Sequence, residues 1–322
     1  MPARPSLAVL MDPLEAIKPA KDSTVAMLAA AARRGCETFC LTQGDLSVRD
    51  GRAFARLTPI EVAGDGRGKD WHRTGAAALR PLAGVSALLM RKDPPFDMEY
   101  VYTTYLLERA EADGVLVVNR PQGLRDMNEK AYTAWFPDCC APTLITRDME
   151  AMQAFLEEHG CAVCKPLEGM GGRSIFALTA GDKNARVVFE TLTGHGTRYA
   201  MVQRYLPEIA ESGDSRILLV EGEPVPLALA RIPGPGDHRG NLAAGARGVA
   251  RPLAERDRFL CSRIGPVMRE RGMLFVGLDV IGGFVTEINV TSPTGIRELE
   301  AQGGGDIAGQ VVDAVLARMA RR

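Results

Sequence analysis

The stretch of residues 275–294 carries the side chains best suited to chemistry in this chain. It reads as two apolar β-strands joined by a Gly-Gly pair that permits the positive φ angles of a tight hairpin, yet Asp279, Glu287 and Asn289 interrupt the apolar pattern. Glu287 and Asn289 are two positions apart, so they share one face of their strand. Two carboxylates and an amide oxygen are suitable ligands for a hard cation such as Mg²⁺, which usually also binds substrate phosphates. The stretch therefore suggests a phosphate-handling enzyme, with a solvated edge hairpin as the alternative.

The length of the hairpin turn decides whether Asp279 belongs to this set. A three-residue loop over residues 282–284 places Asp279 opposite Glu287, whereas a two-residue loop sends Asp279 to the other face. We predict the three-residue loop, and hence a common face for all three side chains.

A second candidate is Lys165, which ends a predicted buried strand just before the glycine-rich turn Gly169–Gly172. Glycines let backbone N–H groups approach a phosphate closely, and an ammonium supplies the opposite charge. The pattern is not a Walker A motif, which excludes a P-loop ATPase. A plain β-hairpin turn is the alternative interpretation of these residues taken alone.

Residues 232–248 form a long segment rich in glycine and proline that also carries Arg239. Loops of this length inside a compact domain are usually functional lids or disordered. We predict a lid in which Arg239 closes on an anionic substrate. Two further arginines, Arg216 and Arg231, flank the strand, turn and strand predicted before this segment.

The elements that position these residues alternate between strand and helix in the N-terminal part. Such alternation is typical of a parallel sheet that binds ligands at the carboxyl ends of its strands. Arg91, Lys92 and Asp93 follow a predicted strand and are therefore candidate substrate contacts. The predicted elements of this part are strands over residues 7–11, 37–42, 88–91 and 115–119, and helices over residues 23–34 and 97–113.

A second structural unit is predicted to begin after Pro121, with a helix that contains residues 128–130. An amphipathic helix over residues 147–159 follows, because apolar side chains recur there at helical spacing and Gly160 ends the pattern. The remaining predicted elements are strands over residues 162–166, 174–179 and 199–206, a strand, turn and strand over residues 215–230, and a helix over residues 255–271.

Composition excludes several classes of protein. The 322 residues include 39 basic and 40 acidic side chains, so the net charge of -1 argues against nucleic acid or a membrane surface as partner. No apolar run is long enough to span a membrane and no signal peptide is evident, which predicts a cytoplasmic protein. Seven cysteines, an odd number in a chain of this size, favour reduced thiols, and the pair Cys161 and Cys164 lies in a predicted buried strand that favours packing over metal binding. The four histidines show no paired ligand spacing, so no zinc site is expected. Residues 303–308 fit a dinucleotide-binding pattern, but no strand precedes them, so we predict a loop before the last helix.

Several motifs coincide with one family. They are Met-Asp-Pro at residues 11–13, Met-Arg-Lys-Asp-Pro-Pro-Phe-Asp at 90–97, Asn-Glu-Lys at 128–130, Lys-Pro-Leu-Glu-Gly-Met-Gly-Gly at 165–172, Leu-Ala-Arg-Ile-Pro at 229–233, Arg-Gly-Asn-Leu-Ala-Ala-Gly at 239–245, and Thr-Glu-Ile-Asn-Val-Thr-Ser-Pro-Thr at 286–294. In order and spacing, over about residues 7–300, the chain resembles the bacterial glutathione synthetases of the ATP-grasp superfamily.

This resemblance implies a fold of mixed α/β and α+β class. A Rossmann-like N-terminal domain over residues 1–126 precedes two ATP-grasp subdomains, over residues 127–208 and 209–322, and the lid belongs to the second. It also implies an enzyme that joins γ-glutamylcysteine to glycine with ATP through an acyl phosphate, releasing ADP and phosphate. Mg²⁺, or Mn²⁺, is the implied metal and a homotetramer the implied assembly, with no nucleic acid or membrane partner.

The resemblance implies a role for each candidate residue. Arg216, Arg231 and Arg239 would be catalytic, and Asp279, Glu287 and Asn289 would bind the metal. Substrate contacts would come from Arg91, Lys92, Asp93, Thr291 and Ser292. ATP would be held by Lys130, Lys165, Gly169, Met170, Gly171, Gly172, Gln203, Arg204, Tyr205, Leu206 and Asp214.

Two alternatives remain open at this point. One is another ATP-grasp ligase, of the D-alanine–D-alanine or glutamate-ligating kind, which would share the ATP and metal residues but take a different acceptor. The other is a nucleotide-binding regulator that has lost catalysis. The presence of every metal and phosphate candidate disfavours the second alternative.

Overall fold

A computed structural model describes residues 4–169, 171–232, 234 and 245–321. Three β-sheets follow one another along the chain, each with its own helices. The described helices, numbered α1 to α9 in chain order, are Ser23–Arg33, Met98–Ala112, Pro121–Asp126, Met149–His159, Ala185–Thr193, Glu208–Ser212, Glu255–Glu270, Ile296–Glu300 and Ile307–Ala320. None of these helices is long and apolar enough to cross a membrane.

The first sheet has the strand order β3-β4-β2-β1-β7-β8, with β5 and β6 also paired to β4. Its strands β1 to β8 are Ser6–Leu10, Glu37–Leu41, Leu46–Arg49, Arg52–Val62, His72–Thr74, Ala78–Pro81, Ala87–Met90 and Leu116–Val118. Strands β2, β1, β7 and β8 are parallel, which confirms the predicted parallel sheet. Asp12 and Asp93 therefore both lie just beyond its carboxyl edge.

The second sheet has four strands in the order β11-β10-β12-β9. These strands β9 to β12 are Thr143–Thr146, Cys161–Pro166, Phe176–Thr179 and Ala200–Arg204. Helices α4 and α5 cover it, and Met152 and Leu156 of α4 are fully buried, as the apolar spacing predicts. Gly160 closes α4 with a φ of 71°. All seven cysteines are free thiols, which confirms the prediction of reduced cysteines.

The third sheet has the order β16-β15-β13-β17-β18, with the short strand β14 paired to β13. Its strands β13 to β18 are Asp214–Val220, Glu223–Pro224, Leu227–Ile232, Arg247–Pro252, Phe275–Ile281 and Phe284–Asn289. The apolar face packs on α7 through residues such as Ile217, Leu278 and Ile264. Helix α9 returns to the first domain, where its apolar face joins α1 in a common core.

The structure differs from the predicted elements at two places that matter for the site. Strand β16 was not predicted; it pairs with β15, so that Ile232 lies opposite Arg247. Residues 128–130 are not helical, because the Asn128 carboxamide oxygen accepts the backbone N–H groups of Lys130 (3.1 Å) and Ala131 (2.9 Å). An asparagine that bonds neighbouring backbone in this way favours a turn over a helix.

Asn119 joins the first domain to the third sheet. Its side chain is buried at 4% exposure, and its amide nitrogen donates to the carbonyls of Phe275 (2.8 Å) and Val290 (2.7 Å). Its amide oxygen accepts from the backbone N–H of Phe275 at 3.0 Å. Three buried backbone groups of the third sheet therefore depend on one side chain.

We predict that Asn119→Ala lowers the free energy of unfolding by about 3 kcal/mol, because it leaves buried donors and acceptors without partners. Urea denaturation followed by circular dichroism measures the change. Asn184→Ala is the matched control, since Asn184 is exposed and its side chain makes no cap hydrogen bond. A loss below about 1 kcal/mol for Asn119→Ala would contradict this role.

Candidate active site

One face of the third sheet carries most of the predicted site. Arg216 lies directly opposite Asp279, Asp279 opposite Glu287, and Asp214 opposite Arg231 in the antiparallel ladders. Residues directly opposite each other project to the same side of a sheet. Asn289, two positions beyond Glu287, completes this polar face.

The hairpin between β17 and β18 reaches the predicted pairing by a different route. Its turn is the two-residue loop Gly282–Gly283, with φ angles of 56° and 80°, so the predicted three-residue loop is wrong. The pairing shifts register between Asp279 and Val280, because Thr286 is an extra residue in β18. Such a bulge moves all later residues to the opposite face. Asp279 therefore still faces Glu287, as predicted.

Asp279 is buried at 2% exposure and gripped by two guanidiniums. Its Oδ1 and Oδ2 accept from Nε and a terminal nitrogen of Arg216, both at 2.8 Å. A terminal nitrogen of Arg231 lies 3.0 Å from Oδ2. Burial opposes the charged form, but the two arginines together hold the pKa of Asp279 well below its usual range.

The same arginines are oriented by these bonds. Arg231 also binds Asp214, with its terminal nitrogen 2.5 Å from Oδ2. Burial raises the pKa of the Asp214 carboxyl to about 6, an effect that the Arg231 charge opposes and the Asp279 charge increases. Each guanidinium keeps one terminal nitrogen free of carboxylates within the described structure. That of Arg216 makes only a 3.4 Å contact with the Thr294 hydroxyl.

Two buried lysines connect the second sheet and its preceding loop to the third sheet. Lys130 Nζ lies 2.9 Å from Glu287 Oε1 and 3.0 Å from the carbonyl of Gly169. Lys165 Nζ donates to the carbonyl of the bulge residue Thr286 at 3.0 Å and lies 3.4 Å from Gln203 Oε1. Both lysines thus stand where the two sheets meet, beside the glycine-rich turn.

The two lysines have different pKa values because Glu287 acts on them unequally. Burial lowers the pKa of Lys165 to about 8, and the neighbouring Glu287 only partly offsets this. For Lys130 burial also acts to lower the pKa, but the adjacent Glu287 outweighs it and the pKa is raised. Lys130 is therefore a permanent cation near neutral pH, whereas Lys165 can lose its charge in mildly alkaline solution.

A cleft of about 500 Å³ lies between the first domain and this polar face. Its volume is in the range of small-molecule sites. Of the predicted residues, those that border it are Asp93, Gly171, Arg216, Arg231, Glu287, Asn289, Thr291 and Ser292. Residues that border it without having been predicted as site residues include Asp12, Lys18, Lys21, Glu129 and Thr294.

Several predicted residues lie away from this cleft. The Arg91 guanidinium is buried between the Thr24 hydroxyl (3.2 Å) and the Pro293 carbonyl (2.9 Å), so it holds the domains together. Lys92 instead pairs with Asp12 at 2.8 Å. Gln203 lies behind Lys165 and donates to the Thr143 hydroxyl. Arg204 covers the Phe284 ring.

The remaining predicted residues lie near the sheet junction or outside the described part of the chain. Gly169, Gly171 and Gly172 all have positive φ, a backbone conformation that glycine adopts readily. Leu206 is buried just past β12, and the backbone N–H of Tyr205 donates to Cys161. Met170, Arg239 and most of the lid segment lie outside the described residues.

Glu129 is one of the polar cleft residues for which no role was predicted. Its Oε1 accepts from the backbone N–H groups of Val290 (2.8 Å) and Thr291 (2.9 Å) and from the Thr291 hydroxyl (2.8 Å). It thereby fixes the turn that follows the strand of Glu287 and Asn289. The Asn-Glu-Lys motif was the available signal, but only its lysine was assigned.

The oxygen donors fit a hard cation. Asn289 donates its amide nitrogen to the Gly277 carbonyl at 3.1 Å, which leaves its oxygen unbonded within the described structure. Glu287 uses only Oε1 for Lys130, and Asp279 Oδ1 retains a lone pair beyond its bond from Arg216. Among the described residues there is no group of three or more His, Cys, Asp or Glu side chains that could hold a metal ion. Carboxylate and amide oxygens such as those of Glu287 and Asn289 are donors for a hard cation that also binds substrate phosphates.

Comparison with known proteins identifies the family. The model of the prokaryotic glutathione synthetase N-terminal domain matches residues 6–125, and that of the prokaryotic glutathione synthetase ATP-grasp domain matches residues 129–304. The chain belongs to the prokaryotic glutathione synthetase family. The resemblance stated from its motifs is confirmed, as is its assignment as an ATP-dependent ligase.

Individual relatives agree with this assignment. The chain is 54% identical to the glutathione synthetase of Pseudomonas putida, over 96% of both chains. It is 52% identical to that of Escherichia coli, over 97% of this chain and 98% of the relative. A glutathione synthetase family enzyme uses ATP and a divalent metal in general, so the predicted cofactors are confirmed at that level.

Solved structures confirm the predicted fold class. A D-cycloserine synthetase has a TM-score of 0.70 at 16% identity, over 98% of this chain and 99% of that one. A D-alanyl-alanine synthetase of Vibrio cholerae has a TM-score of 0.66 at 12% identity, over 99% of both. At such identities the likeness shows the ATP-grasp fold and not the substrate.

The titration of Lys165 gives a test of its place in the site. ATP phosphates should raise the pKa of this lysine, so binding should take up roughly half a proton or more at pH 8.5, where the phosphates of free ATP are already fully ionised. The affinity for ATP should accordingly fall as the pH rises through about 8. Calorimetry with metal-free ATP in two buffers of different ionisation enthalpy measures the uptake.

Lys165→Arg is the control for this measurement, because arginine remains charged throughout the range and takes up no proton. Equal binding enthalpies in both buffers for the unmodified protein at pH 8.5 would contradict the assignment of Lys165 to the phosphates.

Proposed function

We propose that this enzyme joins the cysteinyl carboxylate of γ-glutamylcysteine to the amine of glycine, with ATP as phosphoryl donor. The observation that carries the proposal is the pair of oriented guanidiniums, Arg216 and Arg231, in the same cleft as Glu287 and Asn289. This arrangement offers cations to a carboxylate next to oxygen donors for a phosphate-bound metal. The 54% identity to a named glutathione synthetase supports the choice of substrates.

The proposed reaction has two steps. A cysteinyl carboxylate oxygen attacks the γ-phosphorus of ATP, and ADP leaves with the electron pair of the broken P–O bond. The glycine amine then attacks the carbonyl carbon of the acyl phosphate, loses its proton, and inorganic phosphate departs as the C–O bond breaks. Phosphoryl transfer depends mainly on positioning and charge neutralisation.

Residues of this chain supply that positioning. The free terminal nitrogens of Arg216 and Arg231 would hold the carboxylate and later the negative charge on the acyl phosphate. Lys130, Lys165 and the glycine-rich turn would hold the ATP phosphates, and the region of Gln203 to Leu206 with Asp214 would meet the nucleoside. The lid begins directly after Arg231 in the chain. Together with its Arg239, it would exclude water from the acyl phosphate.

Asp279, Glu287 and Asn289 would bind Mg²⁺ or Mn²⁺, which neutralises phosphate charge when bound. We also propose that the enzyme is a homotetramer, that it is cytoplasmic, and that its domain boundaries follow residues 126 and 208. Thr291 and Ser292, which border the cleft, are proposed substrate contacts.

The decisive experiment measures ADP release and product mass with γ-glutamylcysteine and glycine, and separately with D-alanine. We expect glutathione and ADP in equal amounts, and no dipeptide from D-alanine. ADP release with D-alanine alone would favour the other ATP-grasp ligases, whose representative shares the fold at 12% identity.

Glu287→Gln tests the metal assignment. We expect kcat to fall at least about 100-fold, because the carboxylate charge at the metal is lost, while ATP still binds. Electron paramagnetic resonance titration of Mn²⁺ in the presence of ADP should show weaker metal binding. Glu157→Gln, at an exposed position on α4, is the control. Unchanged Mn²⁺ affinity in Glu287→Gln would remove Glu287 from the ligand set.

A further inference from the structure

A second cavity, of about 620 Å³, lies outside the cleft of the proposed reaction. It is bordered by the end of α2, the edge strand β8, the turn at Gly272 and the end of α9. Among the residues that the structure describes, none borders both this cavity and the cleft. The charged side chains around the second cavity are Arg120, Arg318, Arg321, Glu108 and Glu111. The proposed reaction uses none of them.

The two carboxylates at this cavity already have cationic neighbours. Glu108 Oε2 lies 2.5 Å from a terminal nitrogen of Arg125, which does not border the cavity. Glu111 Oε2 lies 3.8 Å from Nε of Arg120, and 54% of the Arg120 side chain is exposed. An exposed ion pair at that distance contributes little. The Arg120 guanidinium therefore keeps its two terminal nitrogens for another partner.

The other two guanidiniums come from the end of α9. Arg318 donates from Nε and one terminal nitrogen to the two carboxylate oxygens of Glu221, at 2.5 and 2.8 Å. This bidentate contact fixes the plane of the guanidinium, and its other terminal nitrogen meets no carboxylate in the described chain. The backbone N–H of Arg321 donates to the Arg318 carbonyl at 3.3 Å, so one turn holds both residues at the cavity. Arg321 is exposed and forms no ion pair with an acid among the described residues.

Three guanidiniums around one cavity determine the class of ligand that would fit. The planar fork of a guanidinium matches the oxygens of a carboxylate or a phosphate group. A volume of about 620 Å³ is in the range of small-molecule sites. Since the three cations come from two separate segments of the chain, a ligand that contacts all of them needs more than one anionic group.

Arg120 also connects the cavity to the junction of the first domain with the third sheet. It directly follows Asn119, whose side chain binds the main chain of Phe275 and Val290. The backbone N–H of Arg120 donates to the Gly272 carbonyl at 3.3 Å. A Cβ at Gly272 would lie only 2.7 Å from the Arg120 Cβ, so the side-chain stem packs closely on this turn. A ligand at Arg120 would therefore contact the segment that joins the two units.

We propose that this cavity binds a small organic or inorganic polyanion, a molecule with two or more carboxylate or phosphate groups, through Arg120, Arg318 and Arg321. The site is separate from the cleft, and its occupancy requires no turnover. The inference therefore stands or falls independently of the substrates assigned to the reaction.

Citrate and pyrophosphate are the probes, and they represent the carboxylate and the phosphate class. Each is titrated into the full-length enzyme by calorimetry in metal-free buffer, with ADP and γ-glutamylcysteine present to fill the cleft. Hydrogen–deuterium exchange locates the bound probe. The test variant is Arg120→Gln/Arg321→Gln, whose fold is checked by its thermal unfolding. Arg49→Gln is the matched control, since the Arg49 side chain is 83% exposed and borders neither cavity.

We expect saturable binding of at least one probe, with slower exchange in residues 108–120 and 315–321. The double variant should raise the Kd about tenfold or more, the equivalent of about 1.4 kcal/mol, whereas Arg49→Gln should change it less than about twofold. Binding of citrate alone would assign the site to carboxylates, and binding of pyrophosphate alone would assign it to phosphates.

Three outcomes would overturn the site. One is the same Kd, or no measurable binding of either probe, in the unmodified enzyme and the double variant. Another is slower exchange confined to residues 165–172 and 287–291, which would place the probe in the cleft. The third is a double variant that still binds the probe but has a smaller sedimentation coefficient, because the arginines would then belong to a contact between copies of the chain.

Discussion

The buried interaction of Asp279 with Arg216 and Arg231 is the constraint on which the site depends. The three charges lie on adjacent strands β13, β15 and β17, so their positions are fixed by the hydrogen bonds of the sheet. Taking such charges out of water costs several kcal/mol per ion, and their mutual attraction recovers this only with good geometry. Here the bidentate contact at 2.8 Å supplies that geometry. The consequence is that both guanidiniums are pre-oriented, and each has one terminal nitrogen that meets no carboxylate in the part of the chain that the structure describes.

The lysine contacts show how the second and third sheets are coupled. Lys130 and Lys165 connect them through Glu287 and Thr286, and the main chain of Glu129 accepts from Ile288 at 2.8 Å. A polyanion bound between the sheets would replace Glu287 and the Thr286 carbonyl as the partners of the two lysines. Glu287 would then be free to bind a metal. We propose that bound ATP would release the Glu287 carboxylate from Lys130, because the Lys130 ammonium would then pair with phosphate.

The sequence predicted the elements better than their junctions. Apolar patterning and end signals placed α1, whose N-cap in the structure is Asp22, and α4, with Gly160 at its end. The alternation of strand and helix predicted the parallel sheet. Strand β16 escaped prediction because its sequence, Arg-Gly-Val-Ala-Arg-Pro, has little β-forming character and its ladder is supplied by β15. Tertiary pairing overrode weak local preference there.

In the candidate site, the types of the functional residues were predicted more accurately than their positions in the fold. The polar face of the hairpin was predicted, yet the predicted turn was wrong and the bulge at Thr286 restored the register. The local sequence does not indicate that bulge, because the contact to the Thr286 carbonyl comes from Lys165 in another sheet. Arg91 looked like a substrate contact by its position, but its guanidinium turns inward to Pro293. Lys18 and Lys21 carried no motif at all, and only the folded chain brings them to the cleft.

The most direct test of the account follows the oxygen atoms of the reaction. γ-Glutamylcysteine labelled with ¹⁸O in both cysteinyl carboxylate oxygens is converted with ATP and glycine, and the inorganic phosphate is examined by ³¹P nuclear magnetic resonance. The account predicts one ¹⁸O in each phosphate released, because the carboxylate oxygen that attacks ATP leaves with the phosphoryl group. Unlabelled phosphate would show that no acyl phosphate forms, and would contradict the role given to the cleft of Arg216 and Arg231.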